Sequence, residues 1–164
     1  LVHKEDNRMA ISKLTRYLDE HNVKYTKIQH SPAYTAQEIA ASAHIPGRDL
    51  AKTVIVKLDG DLKMVVMPAS ETVDTERLRH ETGAQQIEIA NESEFRDRFP
   101  DSDVGAMPPF GNLFNMDTIV TNSLTADHEI AFNAGSHSEL IRMKYADFAR
   151  LVAPKVLPVG RRAS

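Results

Sequence analysis

The chain contains no cysteine. Any chemistry it performs must therefore come from lysine, histidine, hydroxyls, carboxylates and backbone amides, without a thiol nucleophile or thiolate metal site. Lys52, in "DLAKTVIVK" (residues 49–57), is the first residue to consider. Counting by twos places Leu50, Lys52, Val54, Val56 and Leu58 on one face of a strand, and Ala51, Thr53, Ile55 and Lys57 on the other. Both faces are largely apolar, as expected of a strand covered on two sides. Two readings of Lys52 follow. Its stem packs on the core while the ammonium reaches water, or it stands in a cleft wall and meets an anion or carbonyl oxygen in reduced dielectric.

Two further stretches carry candidate groups. "GAMPPFG" (residues 105–111) holds two prolines between two glycines, which dictates an unusual backbone path. It is either a tight loop or a rigid set of N–H groups near Gly105 aimed at a developing oxyanion. "NAGSH" (residues 133–137) follows an apolar strand, and Gly135 permits a turn that aims His137 either into a pocket or at solvent. His30, in "QHSPAYTAQE", carries the same ambiguity. The histidines at 3, 21, 30, 44, 80, 128 and 137 show no close metal-ligand spacing, so neither a metal nor a cofactor is expected. No Walker loop, GxGxxG or GxSxG occurs.

The elements that position these residues are readable from periodicity. Ile11, Leu14, Tyr17 and Leu18 form a helical stripe that Asn22 stops. "VKYTKI" (23–28) alternates as a strand, and "TAQE" (35–38) is a capping-box pattern opening a helix to about His44, before Pro46. The Lys52 strand should pair through an Asp59-Gly60 turn with "LKMVVM" (62–67), Asp-Gly being a strong hairpin signal. A helix over 75–82 ends at Gly83, "QQIEIA" is a strand, and Asn91 with Glu94 opens a helix through Phe99. "DTIVTN", "EIAFNAG" and "ELIRM" are strands, and "YADFARLV" is a helix closed before Pro154. Hairpins mixed with helices describe a single α+β domain.

The whole composition agrees. The 164 residues suffice for one domain with a core; 41% are hydrophobic and 26% charged, as in globular proteins. No apolar run reaches the length of a membrane span and no signal peptide is visible, so a cytoplasmic protein with no membrane partner is expected, with a native start at Met9-Ala10. A net charge of −3 does not suit general binding to DNA. From Arg142 onward, however, six basic residues face one acid, Asp147. That is either a solvated face or a modest phosphate-facing patch.

In order, "HSPAYTAQE", "LAKTVIV", "MVVMPAS", "GAMPPFG", "NAGSHSELIRM" and "YADFARLV" resemble the YbaK/prolyl-tRNA-synthetase-associated domain family, which hydrolyses misacylated tRNA. The resemblance covers residues 11–154 and leaves 1–10 and 155–164 as terminal extensions. It implies a strongly twisted mixed sheet, partly closed like a barrel and surrounded by helices. It also implies a metal-independent trans-editing deacylase that meets the acceptor end of an aminoacyl-tRNA, with a synthetase as a further partner. The family lysine falls on Lys52, its GxxxP loop on Gly105 to Pro109, and its glycine–histidine turn on Gly135 to His137. The candidate site is then Lys52 and Gly105 for catalysis, with His30, Thr53, Met107, Pro109, Phe110, Gly135 and His137 binding substrate. Thr53 after the lysine and Met107-Pro108 in the loop match no particular specificity subtype. A small residue such as alanine on proline tRNA is the expected substrate.

In that reading an activated ester needs no serine or cysteine, only a placed water, a stabilised oxyanion and a held 3′ end. Lys52 is then an electrostatic positioner. A non-catalytic module that binds an aminoacyl end, a nucleotide or a synthetase through the same pocket is the alternative, since fold does not dictate function.

Overall fold

The computed structural model describes residues 4–31 and 36–163. Helix α1 (Lys4–Glu20) buries Leu14 and Leu18 and stops where Asn22 turns left-handed, at φ 57°. Strand β1 (Tyr25–Gln29) and helix α2 (Ala36–Ala43) follow. The capping box expected there begins at Thr35, which lies outside the described residues. Strands β2 (Leu50–Leu58) and β3 (Asp61–Pro68) form the expected hairpin. Asp59 and Gly60 both have positive φ, 50° and 89°, as a two-residue primed turn requires.

Strand β4 (Glu71–Val73) leads into α3 (Thr75–Thr82). The Asp74 carboxylate accepts from the Arg77 amide at its start, and Gly83, φ 75°, ends it. Next come β5 (Ile87–Ile89) and α4 (Glu92–Phe95), where the Asn91 amide donates to the Glu94 carboxylate over 2.8 Å. A 3-10 turn, Arg96–Arg98, continues α4. Strands β6 (Thr118–Thr121), β7 (Glu129–Asn133) and β8 (Glu139–Lys144) precede α5 (Tyr145–Val152) and two short strands, β9 (Lys155–Leu157) and β10 (Gly160–Arg162).

The large sheet runs β1-β8-β7-β2-β3-β6-β9, with β5 also paired to β2, while β10 and β4 form a separate ribbon. Parallel pairs (β2–β7, β3–β6, β6–β9) mix with antiparallel ones. The path ends at β1 and β9, which do not pair with each other, so the sheet is open rather than a closed barrel.

Each face of β2 is covered, as its double apolar pattern predicts. Ala51 and Ile55 join the main core with Leu14, Leu18, Phe110, Phe132 and Phe148. The opposite face is divided. Val56 and Leu58 pack with Met67, Leu78 and Val159, whereas Leu50 packs with Ile39, Ile45, Ala69, Ala131 and Leu140. Full burial of each such side chain contributes about 1.5–3 kcal/mol, so both clusters matter to stability.

Regular structure reaches into the segments 1–10 and 155–164, expected as terminal extensions. Helix α1 already begins at Lys4. At the other end β9 lies parallel to β6, β10 pairs with β4, and Leu157 and Val159 are buried. Three-residue strands next to Pro154 and Pro158 are too short to show a period, which is why the sequence does not reveal them. Among the described residues no helix is long and apolar enough to cross a membrane.

Candidate active site

Lys52 stands in the gap between the two apolar clusters. Its neighbours on the same face of β2 are Leu50 of one cluster and Val54 of the other, and its partner across β3 is the buried Met67. Two other lysines of the hairpin are paired, Lys57 with Glu94 at 2.5 Å and Lys63 with Asp117 at 2.7 Å. Among the described residues Lys52 has neither a hydrogen bond nor an ion pair. Burial holds its ammonium below the usual lysine pKa, opposed in part by the charge of Glu71 on β4.

The strand register places a polar residue on the same side. Leu50 lies beside Ala131 and Ala51 beside Phe132, where the pairing ends, and by alternation Asn133, the next residue of β7, projects to the same face as Ala131 and Leu50. Asn133 pairs with Leu140 on β8, which pairs with Ile28 on β1. The Asn133 Oδ1 is buried and accepts no hydrogen bond. One rung along, the His30 amide donates to the Ser138 carbonyl over 3.0 Å. The His30 Nδ1 lies 2.7 Å from the Ser31 carbonyl, so Nδ1 donates, and among the described residues the buried Nε2 has no partner. By strand alternation Asn133, Leu140 and Ile28 fall on the sheet face that carries Leu50 and Lys52, with His30 two residues beyond Ile28. Sequence reasoning missed Asn133, because its placement depends on a long-range parallel register.

A second constellation forms against the other face of β2. The Thr53 hydroxyl donates to the Met107 carbonyl over 2.9 Å, fastening the proline loop to the strand. The same loop meets the glycine turn: the Gly135 amide donates to the Ala106 carbonyl, and the Asp103 amide to the Gly135 carbonyl. The His137 Nε2 lies 3.1 Å from the Val104 carbonyl, so that nitrogen donates. Gly105, exposed at φ 87°, stands against the His137 ring. The two constellations approach each other along the edge of β2. There β7 pairs only up to Ala51, and β5 joins only from Val56. Ile55 turns its carbonyl toward this edge, bonding the Ala90 amide, so the alternation aims the Thr53 backbone the same way.

Met107, Pro109 and Phe110, expected to bind substrate, are buried, Met107 and Phe110 within the main core. Phe110 makes edge contacts with Phe132 and Phe148, both at 5.4 Å between ring centres. An apolar side chain in a loop reads the same whether it faces a ligand or the interior. The Gly105 amide, expected as an oxyanion donor, instead donates to the Met107 sulfur, a weak acceptor, over 3.2 Å.

A cleft of about 680 Å³ lies at the hairpin end between Asp59, Lys63, Asp117 and Thr118 and contains none of the candidate residues. Of its charged residues, Lys63 pairs with Asp117, and Asp59 accepts from the Gln85 and Gln86 amides. Among the described residues no group of three or more His, Asp or Glu side chains is placed to hold a metal ion.

The family model of the aminoacyl-tRNA editing domain matches residues 30–151. The prolyl-tRNA editing protein ProX of Acetoanaerobium sticklandii is 24% identical over 145 residues, which are 82% of this chain and 85% of that protein. The proline–tRNA ligase of Staphylococcus saprophyticus is 32% identical over 69 residues, 42% of this chain and 12% of the ligase. A crystal structure described as a candidate trans-editing enzyme for prolyl-tRNA synthetase superposes with a TM-score of 0.78 at 15% identity, covering 93% of this chain and 97% of that one. At that identity the likeness speaks to the fold.

Proposed function

The chain belongs to the aminoacyl-tRNA editing domain family, and from that premise we propose that it is a trans-acting deacylase of mischarged tRNA whose substrate end is held by Lys52. One observation carries the assignment of the site: a half-buried lysine that has no hydrogen bond or ion pair among the described residues and stands between two apolar clusters. A phosphate or a developing oxyanion placed there would be worth more than in water, because the surroundings are already desolvated.

The reaction asks little of the protein. A water oxygen bonds to the ester carbonyl carbon, the negative charge collects on the carbonyl oxygen, and the bond to the ribose 3′ oxygen breaks as that oxygen takes up a proton. The substrate's own 2′-hydroxyl can orient the water. Lys52 positions the 3′ end electrostatically. The bare Asn133 Oδ1 and His30 Nε2 suit the substrate's donors, its α-ammonium and ribose hydroxyl. Leu140 and Ile28 bound the amino-acid side chain, while Thr53 and His137 hold the loop that borders the opening.

The match to 85% of the length of a prolyl-tRNA editing protein supports action in trans and proline tRNA as the carrier. It also supports the acceptor end as the part contacted, prolyl-tRNA synthetase as the enzyme served, and the cytoplasm, where tRNA is charged, as the place of action. Alanine is the substrate side chain we favour. Small apolar residues differ by only about 1–3 kcal/mol in a synthetase pocket, so they call for a second sieve.

One observation favours a second reading, a binding module without turnover: the Gly105 amide is engaged by the Met107 sulfur rather than open to an oxyanion. Incubating purified protein with a panel of charged tRNAs separates the two. The deacylase accelerates hydrolysis of at least one mischarged species over buffer. A binding module protects all of them or leaves them unchanged.

A further inference from the structure

The C-terminal ribbon is held in place more firmly than its length suggests. Val159 is fully buried, and its carbonyl accepts from the Asp74 amide over 2.7 Å. The Gly160 amide donates to the Thr121 hydroxyl over 3.1 Å, and the Ala163 amide to the Ser70 carbonyl over 3.0 Å. Gly160 leaves room for the Glu71 carboxylate. A Cβ there would stand 2.1 Å from Glu71 Oε1 and 2.9 Å from Thr121 Oγ1, so the missing side chain is what lets Glu71 lie across the ribbon. The other Glu71 oxygen accepts from the Ser123 hydroxyl over 2.5 Å.

This pinned strand displays two exposed arginines. Arg162 pairs in register with Glu71, the acid whose charge reaches Lys52, and Arg161 pairs with Thr72. Their side chains leave opposite faces of the ribbon. Arg77, Arg79, Arg96 and Arg150 each lie within 4 Å of a carboxylate. Among the described residues Arg161 and Arg162 have no such partner. Two guanidinium forks without a carboxylate partner among the described residues therefore stand on a ribbon whose Glu71 reaches Lys52 electrostatically. A guanidinium is the side chain best matched to phosphate oxygens. In a chain of net charge −3, attraction for RNA has to be local, and this ribbon offers two adjacent guanidinium groups for it.

We propose that the β4–β10 ribbon is the docking surface for the single-stranded 3′ end of the tRNA, with Arg161 and Arg162 taking the phosphates that precede the terminal adenosine. This rests on the deacylase reading for the identity of the RNA, and its test is a binding measurement that does not need turnover. Binding of proline tRNA by the wild type and by the Arg161→Gln/Arg162→Gln variant is followed across a salt series, with melting temperatures recorded for both. Each neutralised phosphate of a single strand contributes about 0.7 to the slope of log K against log salt, so the variant should lose about 1.4 in slope. Its affinity should fall several-fold or more at low salt, with an unchanged melting temperature. Replacement by lysine at both positions should restore most of the slope and only part of the affinity. An unchanged slope in the glutamine variant, or a loss matched by a fall in melting temperature and not rescued by lysine, overturns the proposal. A wild type that binds with the expected slope yet hydrolyses no charged tRNA contradicts the deacylase reading and leaves the ribbon standing.

Discussion

Lys52 pays for its place in the apolar face with desolvation, and that has consequences opposite in sign for stability and for activity. Its folded pKa lies below the ordinary lysine value, so at neutral pH the folded state carries the cost of a poorly solvated ammonium. Between the depressed value and 10.5 the unfolded chain binds more protons, so this site's contribution to stability rises with pH across that window. Replacing it with methionine removes the cost and keeps the stem. Lys52→Met should therefore melt at or above the wild-type temperature at pH 7 while losing most deacylation, and Lys52→Arg should retain part of it; a thermal scan beside a rate assay checks both. Phe110 belongs to the opposite class. Fully buried against two aromatic rings, it should cost about 3–5 kcal/mol on replacement by alanine, read from denaturant unfolding. The rate per folded molecule should stay within a few-fold. The oddity of Lys52 was legible because a charge in an alternating apolar strand is visible without coordinates. The roles of Met107 and Phe110 were not, since solvent-facing and core-facing apolar residues look alike in a loop.

The parallel contact between β2 and β7 brings together two carboxyl groups that the sequence keeps far apart. Asp127, just before β7, has its pKa pushed up to about 6 by burial and by the adjacent Asp49, with Arg48 opposing. Asp49 itself precedes β2, and its carbonyl accepts from the Ala131 amide over 2.9 Å. A raised acid of this kind gives stability that is full below about pH 4 and is lost as pH rises through about 6, because above that the folded state must hold the ionised pair. Asp127→Asn should thus raise the melting temperature at pH 7–8 and change it little at pH 4; equal effects at both would show that the carboxyl does not titrate in this way. Local signals announced the elements themselves well. The Asp59-Gly60 turn and the Gly83 stop carry positive φ, and Glu94 accepts from the Asn91 amide, as their types predict. What the elements do to one another depends on pairings across tens of residues, such as Ala51 with Phe132, and no local period encodes those.

At the scale of the molecule, a mixed α+β fold followed from hairpins interleaved with helices, but two features that shape the site did not. One is the division of the β2 face into separate clusters, with Lys52 in the gap between them. The other is the return of the chain end as β10, which turns an apparent basic tail into a built edge beside Glu71. Both arise from non-local contacts that come together only in the folded chain. The central claim, that this gap is where a mischarged ester is cleaved by the protein's own side chains and the substrate's hydroxyl, is tested most directly by one comparison. Hydrolysis of alanyl and prolyl esters on the same proline tRNA is timed with purified protein, in the presence and absence of a strong chelator. The account predicts that the alanyl ester is cleaved well above the buffer rate, that the prolyl ester is largely spared, and that the chelator changes neither. Cleavage of neither ester above buffer, equal cleavage of both, or activity lost with chelator and restored by zinc would contradict it.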